Sequence, residues 1–227
     1  MELAYYLTWP VNFTLKGVCS LCLEMLRGLI AGIANVLIAL GWRIDAVGRC
    51  PIPNSGAALL VGNHVSFLDA VLVAAVSPRP VRFVMDERYY NPWWCRWFFQ
   101  LARAIPIASA RRNPARLKQA MASIDAALDA GEVVMIFPEG RLTTDGEVGD
   151  FRPGVERILA RRPVPVITMA IQGVWGSRLS RCPRAEAPKT SGLRRPVRVV
   201  WGARIDGART NSTALKVQVR ALRGSKR

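Results

Sequence analysis

Apolar residues fall along this chain in three rhythms. Residues 18–40 are apolar almost throughout and charged only at Glu24 and Arg27. Short solid runs follow at Ala57–Val61, Val81–Met85, Ala104–Ala108, Val133–Phe137, Val164–Ile171 and Val197–Trp201. Their length and bounding Gly, Pro and Asn residues predict strands, and the alternating stretch Arg43–Arg49 predicts another. Between them, apolar positions recur every three or four residues over 67–76, 92–102, 113–130, 153–162 and 210–222, the spacing of helices. Gly131 ends the third of these, and Thr210, Asn211 or Ser212 is placed to cap the last. Pro51, Pro53, Asn54 and Gly56 mark a turn. Strands alternating with helices predict an α/β fold, a mixed, mostly parallel central sheet flanked by helices. In such sheets functional groups gather at the carboxyl ends of strands.

The first rhythm has a different meaning. As a helix, 18–40 would reach about 35 Å, enough to cross a bilayer. Charge at the bilayer centre is costly, however, and Glu24 and Arg27 stand at a spacing that lets them pair with each other. The expectation is a segment lying in one leaflet or at its surface rather than a clean span, with Gly28 and Gly32 in a small-xxx-small pattern. The chain therefore divides into a membrane-associated helical segment, 1–42, and a domain, 43–227, long enough for a sizeable core. Of Trp93, Trp94 and Trp97 in the aromatic helical stretch, some are expected in the core and others at a membrane interface.

Charge sharpens the picture. Lys and Arg number 32 against 16 Asp and Glu, a net +16. Residues 178–227 hold 14 of the basic residues and only two acids, Glu186 and Asp206. Residues 178–196, rich in proline and arginine, read as a basic surface loop. Such a surface calls for an anionic partner, nucleic acid or the headgroups of a leaflet. No helix-turn-helix, zinc finger or RNA-binding run accompanies the charge, so an anionic membrane surface is expected and nucleic acid is not. Five cysteines form no even framework and suggest a reducing compartment. Cys19 and Cys22 are spaced C-x-x-C, but with one histidine and no second cysteine pair a metal site is not expected.

Two strand ends carry the chemistry. Leu59-Leu60-Val61-Gly62 runs into Asn63-His64-Val65-Ser66-Phe67-Leu68-Asp69, which holds the chain's only histidine. Imidazole is the side chain whose ordinary titration lies near neutrality, so His64 is the natural general base and Asp69 the carboxylate to orient it. The geometry works if His64 lies in the turn before a helix and Asp69 in its first turn. Ser66 to Asp69 also has the form of a capping box, so Asp69 has a purely structural reading as well. The second strand end is Val133-Val134-Met135-Ile136-Phe137-Pro138-Glu139-Gly140-Arg141. Glycine admits close backbone approach and arginine presents a planar fork suited to phosphate. There is no G-x-S-x-G elbow for a serine nucleophile.

Together these blocks resemble the glycerolipid acyltransferase family, the 1-acylglycerol-3-phosphate acyltransferases and their relatives. Asn63 to Asp69 is similar to that family's N-H-x-S-x-x-D block, Phe137 to Gly140 to its F-P-E-G block, and Val164-Pro165-Val166-Ile167 to its later V-P-V block. The likeness covers roughly 43–205, making this the acyltransferase domain. The family commonly reads F-P-E-G-T-R-S, whereas Arg141 follows Gly140 directly here, a form closer to acyltransferases of lysophospholipids, including the 2-acylglycerophosphoethanolamine type. The family's middle block carries a glycine and an arginine that Arg103 to Ser109 lacks at the matching places; Arg111 or Arg112 is placed to substitute.

The resemblance implies direct acyl transfer with no cofactor and no metal, because a thioester is already activated. His64 would deprotonate the free hydroxyl of a lysophospholipid such as 1-acylglycerol-3-phosphate. Asp69 would orient His64. Acyl-CoA or acyl carrier protein would be the co-substrate, and Glu139 and Arg141, with the Gly140 backbone, would hold the acceptor near its phosphate. Lysophosphatidylethanolamine and lyso-ornithine lipid are the alternative acceptors, and the non-enzymatic alternative is a basic membrane- or nucleic-acid-binding module, which the charge alone would also support. The implied location is a membrane surface with the catalytic domain in the cytoplasm, the inner membrane in a bacterium.

Overall fold

The computed structural model describes residues 41–183 and 195–225, preceded by helical positions at Met25, Leu26, Gly28 and Gly32. The expected membrane segment otherwise lies outside the described residues, as does most of the basic loop. Among the described residues no helix is long and apolar enough to cross a membrane.

The elements follow the order β1 (Trp42–Val47), β2 (Ala58–Gly62), α1 (Asp69–Val76), β3 (Val81–Asp86), α2 (Glu87–Tyr90), α3 (Trp93–Leu101), β4 (Ile105–Ile107), α4 (Pro114–Asp129), β5 (Val133–Ile136), α5 (Gly154–Arg161), β6 (Val166–Gln172), β7 (Arg195–Ile205), a 3-10 turn at Gly207–Arg209 and α6 (Ser212–Arg223). The seven strands form one mixed sheet in the order β1-β7-β6-β2-β5-β3-β4. All neighbours pair in parallel except β6 and β7, which are antiparallel.

The solid apolar runs are explained by helices on both faces of the sheet. Along β2, Ala58 and Leu60 point into one core with Leu72 and Val73 of α1. Leu59 and Val61 point into the other, with Ile124 and Leu128 of α4, Ile158 of α5 and Leu215 of α6. Successive strand side chains alternate faces, so a strand covered twice must be apolar at every position. Each such fully buried leucine contributes about 1.5–3 kcal/mol of apolar burial. Side-chain caps hold two helix starts: Asn113 and Asn211 accept from the backbone amides of Arg116 and Ala214. Asn211, not Thr210 or Ser212, is therefore the last cap.

Three expectations change. The helix predicted over 92–102 forms as α3, Trp93–Leu101, but it is preceded by a short helix the sequence reading did not include, α2, capped by the Asp86 carboxylate. The basic loop ends earlier than expected, because Arg195 and Pro196 already pair with Trp42 and Arg43 in the sheet. None of Trp93, Trp94 and Trp97 is core: they are 87%, 65% and 59% exposed, and Cys95 is the only buried residue of α3.

Candidate active site

The two motifs stand about 70 residues apart in sequence and meet because their strands are neighbours. β2 and β5 pair in parallel with Val61 opposite Ile136. Their carboxyl ends therefore emerge side by side, roughly 4.8 Å apart, and release Asn63-His64 and Phe137-Pro138-Glu139 at the same edge. Gly62 is needed at this exit, since a Cβ there would sit 3.0 Å from Met135 Cε and 3.1 Å from Met169 Cγ. Asn63 fastens the exit to the third strand: its side-chain amide donates to the Ile171 carbonyl at 3.0 Å and its oxygen accepts from the Ile171 amide at 2.8 Å.

His64 lies in the turn before α1 and Asp69 is the first residue of that helix. Asp69 is fully buried, and its Oδ2 sits 2.8 Å from His64 Nδ1. The same oxygen accepts from the backbone amides of Val65 and Ser66, at 2.6 and 3.0 Å. One atom therefore faces the imidazole and holds the turn's backbone, but the capping box does not form: the helix is capped at Leu68 with no side-chain hydrogen bond, and the Ser66 hydroxyl accepts from the Leu68 amide. A carboxylate only accepts, so Nδ1 carries the hydrogen and Nε2 presents its lone pair. Nε2 has no partner among the described residues. The imidazole lies flat against Phe137, with ring centroids 4.3 Å apart and 11° between planes, and its side chain is 24% exposed. It is thus fixed on one nitrogen, packed on one face and open at the other nitrogen.

Glu139 is buried, and both its oxygens face inward. Oε1 accepts from the His64 amide at 2.9 Å and Oε2 from the Gly149 amide at 3.0 Å. Its carboxylate thereby ties the turn that bears His64, the Phe137 to Arg141 turn and the loop before α5 together. Burial pushes its carboxyl above the ordinary range; the two amides and the nearby imidazole pull the other way, and Asp69 adds to the rise. The Thr143 amide donates to the His64 carbonyl at 2.9 Å, closing the same junction.

Gly140 has φ +64°, and a Cβ there would lie 2.9 Å from both Nε and Cζ of Arg152. The conformation calls for glycine, whereas the space is taken only by the movable end of an exposed arginine. Arg152 is held there by its backbone amide, which donates to the Pro138 carbonyl at 2.9 Å. Arg141 and Arg152 are both exposed, and neither has a carboxylate partner among the described residues. Two unneutralised guanidinium groups thus flank Gly140 at the turn clamped to His64. The sequence reading named His64, Asp69, Glu139, Gly140 and Arg141, and the structure brings all five to one sheet edge. It missed Arg152. The visible signal was Phe151-Arg152-Pro153-Gly154 at the start of a helix, but only the tertiary contact with Gly140 gives that arginine its place.

The acyltransferase family model matches residues 43–172. The chain is 25% identical over 141 residues to the chloroplastic 1-acyl-sn-glycerol-3-phosphate acyltransferases of Brassica napus and Arabidopsis thaliana. That alignment takes in 62% of this chain and 40% and 39% of those two proteins. A probable 1-acyl-sn-glycerol-3-phosphate acyltransferase of Mycoplasma pneumoniae is 23% identical over 160 residues, 66% of this chain and 57% of that one. The chain thus spans about two fifths of the plant proteins' length. The crystal structure of the 1-acyl-sn-glycerophosphate acyltransferase PlsC from Thermotoga maritima superposes with a TM-score of 0.64 at 19% identity, over 88% of this chain and 80% of that one.

Proposed function

Because the chain belongs to the acyltransferase family, we propose that it moves a fatty acyl group from an acyl thioester to the free hydroxyl of a lysophospholipid, with 1-acylglycerol-3-phosphate as the acceptor the site suits best. The observation that carries this reading is His64, held by Asp69 at 2.8 Å through Nδ1 with Nε2 open, on a turn clamped to the one that bears Arg141. The acceptor hydroxyl gives its proton to Nε2 as its oxygen attacks the thioester carbonyl carbon. The new C–O bond forms, the C–S bond breaks, and the imidazolium returns the proton to the departing thiolate. Asp69 stabilises the imidazolium while it exists. The donor is acyl-CoA or acyl carrier protein, and no further cofactor is required by this chemistry.

Arg141 and Arg152 hold the acceptor's phosphate. Two guanidinium forks suit a phosphate monoester, which carries more charge than the phosphodiester of lysophosphatidylethanolamine. Glu139 acts through the backbone: it sets the distance between base and phosphate site rather than touching the acceptor. The relatives' names support the choice of acceptor, being 1-acyl-sn-glycerol-3-phosphate acyltransferases. The enzyme works at a membrane surface, where its acceptor resides, with the catalytic domain on the cytoplasmic side.

The test is purified protein assayed on lysophosphatidic acid, lysophosphatidylethanolamine and lyso-ornithine lipid, with labelled acyl-CoA and acyl carrier protein. Lysophosphatidic acid is expected to be the preferred acceptor, and His64→Ala to lower turnover by at least about a hundredfold with the fold intact. Undiminished turnover in the variant would remove His64 from the mechanism.

A further inference from the structure

Helix α3 is the largest departure from ordinary soluble packing among the described residues. It reads Trp-Trp-Cys-Arg-Trp-Phe-Phe-Gln-Leu, and only Cys95 is buried. Trp93, Trp94, Trp97 and Phe98 are 87%, 65%, 59% and 37% exposed. Apolar side chains of this size left in water on a single helix mark a contact surface. The patch continues toward the site: Tyr89 on α2 and Phe67, three residues past His64, are also exposed and meet edge to face at 5.4 Å.

The geometry points to this face as the part of the folded domain that rests in the headgroup layer of an anionic bilayer, aromatic rings inserted and His64 brought level with the lipid surface. Charge selects that occupant. α3 contains no acidic residue, and its Arg96 has no carboxylate partner among the described residues. Arg111 is likewise exposed without one, and Arg181 reaches the Tyr89 hydroxyl. Tryptophan and phenylalanine set among unpaired arginines are the composition of an interfacial anchor: indole sits at headgroup depth and each basic residue near an anionic leaflet adds attraction. A second copy fits less well, since a twofold contact through α3 would bring Arg96 toward its own counterpart with no acid to relieve it. The docking surface does not depend on the proposed reaction; only its use, delivery of acceptor past Tyr89 and Phe67 to His64, rests on that reading.

The experiment uses the full chain, vesicles of phosphatidylcholine with and without phosphatidylglycerol, and the same lipids brominated high on the acyl chain to quench tryptophan. Wild-type protein is expected to float with the anionic vesicles and show quenching. The combined variant Trp93→Ala/Trp94→Ala/Trp97→Ala should lose the greater part of that quenching and bind at least about tenfold more weakly. It should keep its melting temperature, because no core residue is touched, and keep its activity on a water-soluble short-chain acceptor while losing activity on acceptor embedded in vesicles. Arg96→Glu should weaken binding only where phosphatidylglycerol is present. Equal quenching of the wild type and the combined variant would overturn the proposal, as would flotation of the wild type with no tryptophan quenched, which assigns anchoring to 18–40 alone. A dimer lost in the variant with vesicle binding unchanged would overturn it in favour of a second copy. If no acceptor is acylated at all, the reaction fails, yet flotation and quenching still decide the surface.

Discussion

Asp69 Oδ2 accepts three hydrogens at once, from the His64 ring and from the Val65 and Ser66 amides. Asp69→Asn keeps a side chain of the same shape but removes the charge that, in the proposed mechanism, would stabilise the imidazolium. Turnover is expected to fall at least about a hundredfold. Asp69→Ala leaves two buried amides unpaired as well and is expected to cost a further 1–3 kcal/mol or so in a denaturant titration. Glu139→Gln offers one oxygen where two amides need one each, so a similar loss of roughly 1–3 kcal/mol is expected. The pH dependence of that difference is specific. A buried carboxyl raised above its ordinary 4.5 binds its proton more tightly in the folded state than in the unfolded. Its contribution to stability is therefore greatest at acid pH and is lost as pH rises from 4.5 through the higher folded value. Denaturant titrations across that window should show wild type losing ground relative to Glu139→Gln; a flat difference would contradict the raised carboxyl. Arg152→Ala, with Arg141→Ala alongside, should raise KM for a phosphate-bearing acceptor more than it lowers kcat, measured by steady-state kinetics.

At the scale of elements, the strands were legible because each is covered on both faces and so is apolar at every position. Leu60→Ala in β2 is expected to cost about 2–5 kcal/mol by thermal or chemical melting, since the helices beneath cannot collapse into the gap. The cap of α6 was legible as one of three candidates, whereas the cap at Asn113 emerged only from the structure; Asn113→Ala should cost about 1 kcal/mol. The helix read over 92–102 forms as α3, but the four-residue α2 before it is too short for periodicity to show, and the outward turn of α3's tryptophans was not legible because an apolar stripe does not say what covers it. The residues of the candidate site were legible where sequence is contiguous, at Asn63 to Asp69 and Phe137 to Arg141. It was hidden where contacts are distant: the Glu139 carboxylate reaching Gly149 and His64, Arg152 lying on Gly140, and Asn63 bridging to Ile171.

Across the whole molecule, a net charge of +16 and an aromatic face belong to one design if the domain works against an anionic leaflet. Electrostatic attraction at a surface falls off within about 10 Å at 0.1 M salt. Raising ionic strength should therefore weaken flotation with phosphatidylglycerol vesicles while leaving the aromatic contribution, read by quenching of what remains bound, in place. The fold likeness to the Thermotoga enzyme extends over 88% of this chain and reaches beyond the 43–172 span of the family match. The carboxyl-terminal part, β7 and α6, completes the sheet and the second core and is not an appendage.

The turn that bears His64 has one more consequence. The peptide hydrogens of His64, Val65, Ser66 and Gly149 are all received by side-chain oxygens of Asp69 or Glu139, not by carbonyls of the sheet. Deuterium uptake at those four places therefore monitors the His64 turn separately from the strands behind it. A substitution that loosens only this corner will register there, in enzyme that is otherwise fully folded and has met no lipid.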